Sequence, residues 1–166
     1  LHDLSAEDIP AVQQALQAVA LTTVGACGDT PRNITICPCS GVAPGSVELM
    51  PLARAITEAL EALEGVYRLP RKFKIALACS DACGQPFRND LALTAGRRDG
   101  RWALRAVLAG SLGPAPATGV VYREGIEPSQ AVALAVAAVK VVAAEGDRTN
   151  RRKARLRHVR QRVGEE

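Results

Sequence analysis

Between Arg71 and Cys79 the chain reads Arg-Lys-Phe-Lys-Ile-Ala-Leu-Ala-Cys, and no other stretch constrains the fold as much. The run Lys72–Cys79 alternates, which predicts a β-strand. Side chains two apart on a strand share a face. Phe73, Ile75 and Leu77 therefore point together into a core, and Lys72 and Lys74 point together away from it. Two ammonium groups on one face repel each other, and the arrangement becomes favourable when an anion or an acidic cofactor lies between them. The same pattern also suits the solvated face of an edge strand, where lysines discourage edge-to-edge aggregation.

The rest of the chain supplies layers for such a strand. Ser5 can cap a helix whose apolar positions Ile9, Val12, Leu16 and Val19 recur at helical spacing. Leu21–Gly25 reads as a short strand and Asn33–Cys37 as a short extended piece, inside a stretch that Pro31, Pro38 and Pro44 keep from being a long helix. A second helix begins near Ser46, with Leu49, Leu52, Ile56, Leu60 and Leu63 as its apolar stripe and Gly65 at its end. Pro51 is tolerated in its first turn. Leu91–Ala95 and Trp102–Leu108 read as strands joined by an Arg98-Asp99-Gly100 hairpin signal. Pro128 and Ser129 open a third helix, apolar nearly all round and so expected to be buried. A last, basic helix runs from about Thr149 to Val163. The pattern predicts an α+β (mixed α/β) domain, residues 1–166, with a sheet of about five strands covered by helices.

Length and composition narrow the function classes. The 166 residues suit one domain with a real core. Apolar residues make up 48% and aromatic residues 3%, so that core is aliphatic. The net charge of +4 is uneven, with an acidic first third and a tail dense in arginine. A basic balance favours small oxyanions, a cofactor rich in carboxylates, or nucleic acid. The segment 147–166 carries Arg148, Arg151, Arg152, Lys153, Arg155, Arg157, Arg160 and Arg162 but no aromatic residue to stack on bases, which argues against nucleic acid. Leu156, Val159 and Val163 give it an apolar face for docking. The run Ala131–Ala144 is short for a membrane span and contains Lys140, so no membrane partner is expected. No signal peptide is visible, which points to the cytoplasm. A first residue other than Met suggests a piece of something longer. Five cysteines without a secretion signal read as reduced thiols, some of them metal ligands, rather than as a disulfide framework.

Several short motifs recur in a fixed order. They are Gly28-Asp29-x-x-Arg32-Asn33, Leu69–Lys74, Cys79-x3-Cys83 with Arg88-Asn89-Asp90, Gly110-Ser111-Leu112-Gly113, and Gly146-Asp147-Arg148-x-x-Arg151-x-x-Ala154-Arg155-Leu156. In this order, over roughly Leu21 to Gly164, they resemble the siroheme-dependent nitrite and sulfite reductase family, and within it the first of two related halves. Motifs in register are far more specific than any one alone. The resemblance implies the six-electron reduction of sulfite or nitrite, an oxidoreductase activity that needs the second repeat or a partner subunit and an electron donor such as ferredoxin. It places Arg32, Lys72 and Lys74 against the siroheme and the oxyanion as catalytic cations. Asn33, Arg71, Asn89 and Gly110 join Arg32, Lys72 and Lys74 in the implied cofactor site.

The family's 4Fe-4S cluster takes a C-x5-C and a C-x3-C pair. Cys37, Cys79 and Cys83 match three of those iron–sulfur ligands. Ala43 stands where the fourth belongs, and Cys39 lies only two residues from Cys37. The resemblance therefore implies that the missing second half holds the cluster. Two other readings attach to the same scaffold: a non-catalytic structural or partner-binding relative, and a cobalamin-pathway (precorrin) oxygenase.

Overall fold

The computed structural model describes residues 3–83, 86–98, 100–113 and 115–164. Five strands form one mixed sheet in chain order: β1 (Thr35–Ile36), β2 (Ile75–Ala78), β3 (Leu91–Arg98), β4 (Arg101–Leu108) and β5 (Val120–Ile126). The first three run parallel, with Thr35 beside Ala76 and Ile75 beside Leu91. β3, β4 and β5 are antiparallel neighbours. The helices are α1 (Ile9–Ala18), α2 (Met50–Glu61), α3 (Pro128–Glu145) and α4 (Leu156–Val163).

The core lies between one face of the sheet and α2 and α3. Phe73, Ile75 and Leu77 point into it, as the alternation predicts, and meet Ile56, Leu60, Ala135, Val139 and Val142. Each large aliphatic side chain removed from water in this way contributes about 1.5–3 kcal/mol. On the opposite face, Ala76, Ala92 and Val107 form a thin layer under Phe87. Small residues there leave little room between the sheet and whatever covers it.

Local chemistry fixes the ends of the elements. α2 carries Pro51 in its first turn and stops at Ala62. Gly65 then adopts φ +73°, a left-handed conformation suited to glycine, and turns the chain through Val66–Arg68 toward Leu69. Glu127 and Gln130 form a reciprocal capping box ahead of α3. At the far end, a side chain on Gly146 would lie 2.6 Å from the Val142 carbonyl and 2.7 Å from Pro70, so glycine allows the close approach.

The strand through the lysines is shorter than its alternation suggests. Only Ile75–Ala78 forms a ladder, while Phe73 makes a single parallel bridge with Pro31. It is also internal, paired with β1 on one side and β3 on the other, so the edge-strand reading does not hold. Leu21–Gly25 forms no strand, having no neighbour to pair with, and Leu21 and Val24 are exposed. In its place β5 completes the five. Arg123, Glu124 and Gly125, together with the irregular register against β4, hid it from a periodicity reading.

The β3–β4 hairpin is present, with Arg98 opposite Arg101, although Asp99 lies outside the described residues. α3 buries one face through Ala131, Ala135, Ala138, Val139 and Val142, whereas Val141 and Lys140 are exposed, so it is not buried all round. Its 18 residues would be long and apolar enough to cross a bilayer by length and composition, a length that the sequence reading underestimated. Here its buried face belongs to the core. The basic tail is broken into a 3-10 turn, Arg151–Lys153, and the helix α4, with Arg155 extended between them. Leu156 and Val159 are buried on the domain itself, while Val163 stays exposed.

Candidate functional site

Four of the motifs converge on one end of the sheet. β2 and β3 begin there and β4 ends there, so Leu69–Lys74, Arg88–Asp90 and the turn after Leu108 become neighbours. The Arg32 loop joins them because the Arg32 amide donates to the Phe73 carbonyl at 2.8 Å.

Asp90 organises this end. It is fully buried, and its carboxylate accepts the Lys74 amide at 2.8 Å and two donors of Arg155, at 3.1 and 2.6 Å. Burial pushes the Asp90 carboxyl up, and the Arg155 fork and the Lys74 amide pull it back down. The backbone carrying Lys74 is thereby tied to the tail. A second carboxylate, Asp29, lies between Arg71, at 3.5 Å, and Arg151. Arg71, expected among the cofactor-facing cations, is thus already matched by a carboxylate.

Lys72 and Lys74 are half-buried, and no described carboxylate forms an ion pair with either ammonium. Loss of water, then Lys74, Arg71, Arg32 and Arg155 in turn, holds the Lys72 ammonium below the ordinary lysine value. Arg32 folds back on its own loop, donating to the carbonyls of Ala26 at 2.8 Å and Gly28 at 3.0 Å, while its Nε is buried without a partner. Asn33 beside it is exposed. The result is a concentration of positive charge with an unfilled donor, which fits an oxyanion or a group bearing several carboxylates.

Asn89 is half-buried beside Asp90. Gly110 is buried against backbone: a side chain there would meet the Phe87 carbonyl and lie 2.8 Å from that of Asn89. The structure therefore gives this glycine a packing reason. The role of Asp90 as the common anchor escaped the motif reading. The signal was a lone carboxylate at the start of an apolar strand, which requires a buried counter-charge such as Arg155.

The cysteines lie at the other end of the same strands. β1 runs out into Cys37, whose amide donates to the Leu77 carbonyl at 2.9 Å, and β2 runs out into Cys79. At about 3.3 Å per residue, the five steps from Lys74 to Cys79 span about 16 Å. Cys37 and Cys83 form a disulfide with Cα atoms 5.7 Å apart, which corrects the expectation that all five thiols are reduced. Two of the three expected iron–sulfur ligands are joined to each other.

The sulfurs of Cys37, Cys39 and Cys83 lie within 4.8 Å of one another, so the thiol brought closest to the pair is Cys39 rather than Cys79. Cys79 lines the same hollow, of about 270 Å³, along with Ala43. Burial, then the neighbouring Cys39 and Glu48, raises the Cys79 thiol pKa. A C-x5-C and C-x3-C set is incomplete here, and the ring of cysteines does not reach the lysines.

The tail arginines bond to the domain's own carbonyls. Arg148 donates to Arg68 and to Ala143, both at 3.1 Å, and Arg157 donates to Ala115. These contacts account for part of the basic charge as fastening.

Comparison with known proteins points to the same family as the motifs. Residues 27–166 match the model of the nitrite and sulphite reductase 4Fe-4S domain. An assimilatory ferredoxin-dependent nitrite reductase of Haloferax mediterranei is 38% identical over 60% of this chain and 17% of its own length. A ferredoxin–nitrite reductase of Leptolyngbya laminosa is 29% identical over 94% of this chain and 32% of its own. A sulfite reductase [NADPH] hemoprotein beta-component of Acidithiobacillus ferrooxidans is 29% identical over 98% of this chain and 34% of its own. Among solved structures, the Mycobacterium tuberculosis NirA protein superposes with a TM-score of 0.82 at 25% identity, covering 96% of this chain and 29% of that one. The chain thus spans about a third or less of the length of these relatives.

Proposed function

The chain belongs to the nitrite and sulphite reductase 4Fe-4S domain family, and from that premise we propose that it is the siroheme- and substrate-facing half of a sulfite or nitrite reductase. The observation that carries this reading is Lys72, half-buried among Lys74, Arg71, Arg32 and Arg155, with no carboxylate among the described residues paired to its ammonium. Like charges gathered in this way cost stability unless an anion completes them. A porphyrin-like cofactor with many carboxylates and an oxyanion substrate are such anions.

Siroheme, when bound, supplies the iron centre at which six electrons reach the substrate. The chain's own residues supply charge and protons. Lys72, Lys74 and Arg32 stabilise the negative charge of the oxyanion and of the oxygens that leave it. The lowered pKa of Lys72 suits it to proton donation. Arg71, held by Asp29, and Arg155, held by Asp90, keep the lysine backbone in place. The iron–sulfur cluster, the second repeat and the contact with an electron donor such as ferredoxin belong to the remaining part of the protein, as one longer chain or as a separate subunit.

The test is reconstitution with siroheme of the protein that joins this chain to its second repeat. A Soret band that is lost or shifted in a Lys72→Ala, Lys74→Ala variant is the expected result. A fold that stays intact and never develops that band overturns the reading and leaves a non-catalytic relative.

A further inference from the structure

We propose that Cys37, Cys39, Cys79 and Cys83, once reduced, form a mononuclear tetrathiolate site for a soft divalent cation, with zinc as its reference metal. The topology brings the four together. Cys37-Pro38-Cys39 leaves the carboxyl end of β1, and Cys79-x3-Cys83 leaves the carboxyl end of the parallel neighbour β2. All four line one hollow. Three of the sulfurs already lie within 4.8 Å of one another. A tetrahedral zinc with Zn–S near 2.3 Å spaces its sulfurs by about 3.8 Å, so these three need only small rotations once the disulfide opens, and Cys79 turns in from the wall of the same hollow. The C-x5-C partner that a four-iron cubane would use is replaced here by Ala43. Here Cys39, two residues after Cys37, supplies the missing thiolate.

Both arms are fastened by groups outside the sulfur ring, as metal loops require. The Ser46 hydroxyl donates to the Cys39 carbonyl at 2.7 Å. The Ser40 hydroxyl donates to the Val47 carbonyl at 3.1 Å and accepts the Leu49 amide at 2.8 Å. On the second arm, Asp81 lies between Cys79 and Cys83 and pairs with Arg105 of β4. Four thiolates around one divalent ion leave a net negative charge, and Arg105 brings a cation to that arm.

The Cys37–Cys83 disulfide is the oxidised, metal-free form of the same site. A phosphine reductant converts it: the phosphine takes an oxygen from water and becomes the phosphine oxide. The disulfide gains two electrons and two protons and becomes two thiols. Metal binding then displaces the thiol protons.

The experiment uses the 166-residue chain, reduced anaerobically with a phosphine and freed of it. Zinc is titrated against a chromophoric chelator, and cobalt(II) reports geometry through its visible bands. The expected result is one metal per chain, tetrahedral thiolate bands with cobalt, and protection of four thiols from alkylation. Cys39→Ser and Cys79→Ser should each weaken zinc binding by roughly tenfold or more, the lower end of what even outer-shell changes cost, while Cys27→Ser leaves it unchanged. Circular dichroism of each variant establishes that the fold persists. Folded protein that binds no zinc, or zinc binding indifferent to Cys39, overturns the proposal. So does preferential uptake of close to four irons and four sulfides per chain on anaerobic reconstitution.

Discussion

Arg155 grips Asp90 through two nitrogens, at 3.1 and 2.6 Å, although 64 residues separate them in the chain and Asp90 is completely buried. Asp90 spends its remaining acceptor capacity on the amide of Lys74. The lysine pair is therefore aimed by a charge pair whose carboxylate is shut off from solvent and whose guanidinium is nearly so.

Removing one member of that pair leaves the other buried alone. Arg155→Met is expected to destabilise the chain by about 3–5 kcal/mol, the usual cost of breaking a buried ion pair. Arg155→Met combined with Asp90→Asn should recover part of that loss. Urea denaturation of the three variants and the parent measures it. Equal stability of parent and Arg155→Met would show that water replaces the guanidinium without cost.

Lys72→Ala and Lys74→Ala should separate function from folding. Both ammonium groups lie among like charges, with no carboxylate among the described residues paired to either, so thermal stability should stay within about 0.5 kcal/mol of the parent or rise slightly. Turnover in the siroheme-loaded protein should fall by about 10²–10³, as when a donor aimed at developing charge is deleted. Melting curves and steady-state rates on the same preparations check both halves of the statement.

The lowered Lys72 pKa gives two pH effects of opposite sign. Anion binding needs the ammonium, so affinity for sulfite or nitrite should fall as pH rises through a value below the ordinary lysine range. Stability of the ligand-free chain should move the other way. The folded state releases this proton more readily than the unfolded one, so raising pH from the folded pKa toward the unfolded pKa relieves a destabilisation. Calorimetric titrations and denaturation curves across that range, with Lys72→Met as the control, show whether both slopes vanish together.

Gly110→Ala places a methyl group against the carbonyls of Phe87 and Asn89. An overpacked site of this kind costs about 1–3 kcal/mol. The change should also loosen Asn89 and Asp90, so the variant should lose cofactor affinity as well as stability, by denaturation and by siroheme titration. Unaltered stability would mean that the turn after β4 yields freely.

The fold was legible where periodicity and burial agree. The α2 stripe and the Phe73-Ile75-Leu77 face were both readable, because each apolar position had an obligatory partner layer. Leu21–Gly25 looked like a strand by composition, but a strand exists only with a neighbour, and sequence does not show one. β5 was hidden for the converse reason: charged and glycine residues occupy an edge whose outer face is exposed. The cation cluster was legible as two lysines and an arginine, but its supports were not. Asp29 reaches Arg151 and Asp90 reaches Arg155 across distances that only the packed tail closes. Among the cysteines, sequence pointed to three, and the loop after β1 brought the exposed Cys39 beside two of them, Cys37 and Cys83.

Cations at the amino ends of β1 and β2 and thiols at their carboxyl ends leave only a short rung of main chain between two unlike chemistries. A change of residue on the sulfur side, such as alanine at position 43, therefore leaves the Asp90–Arg155 support of the lysine end untouched.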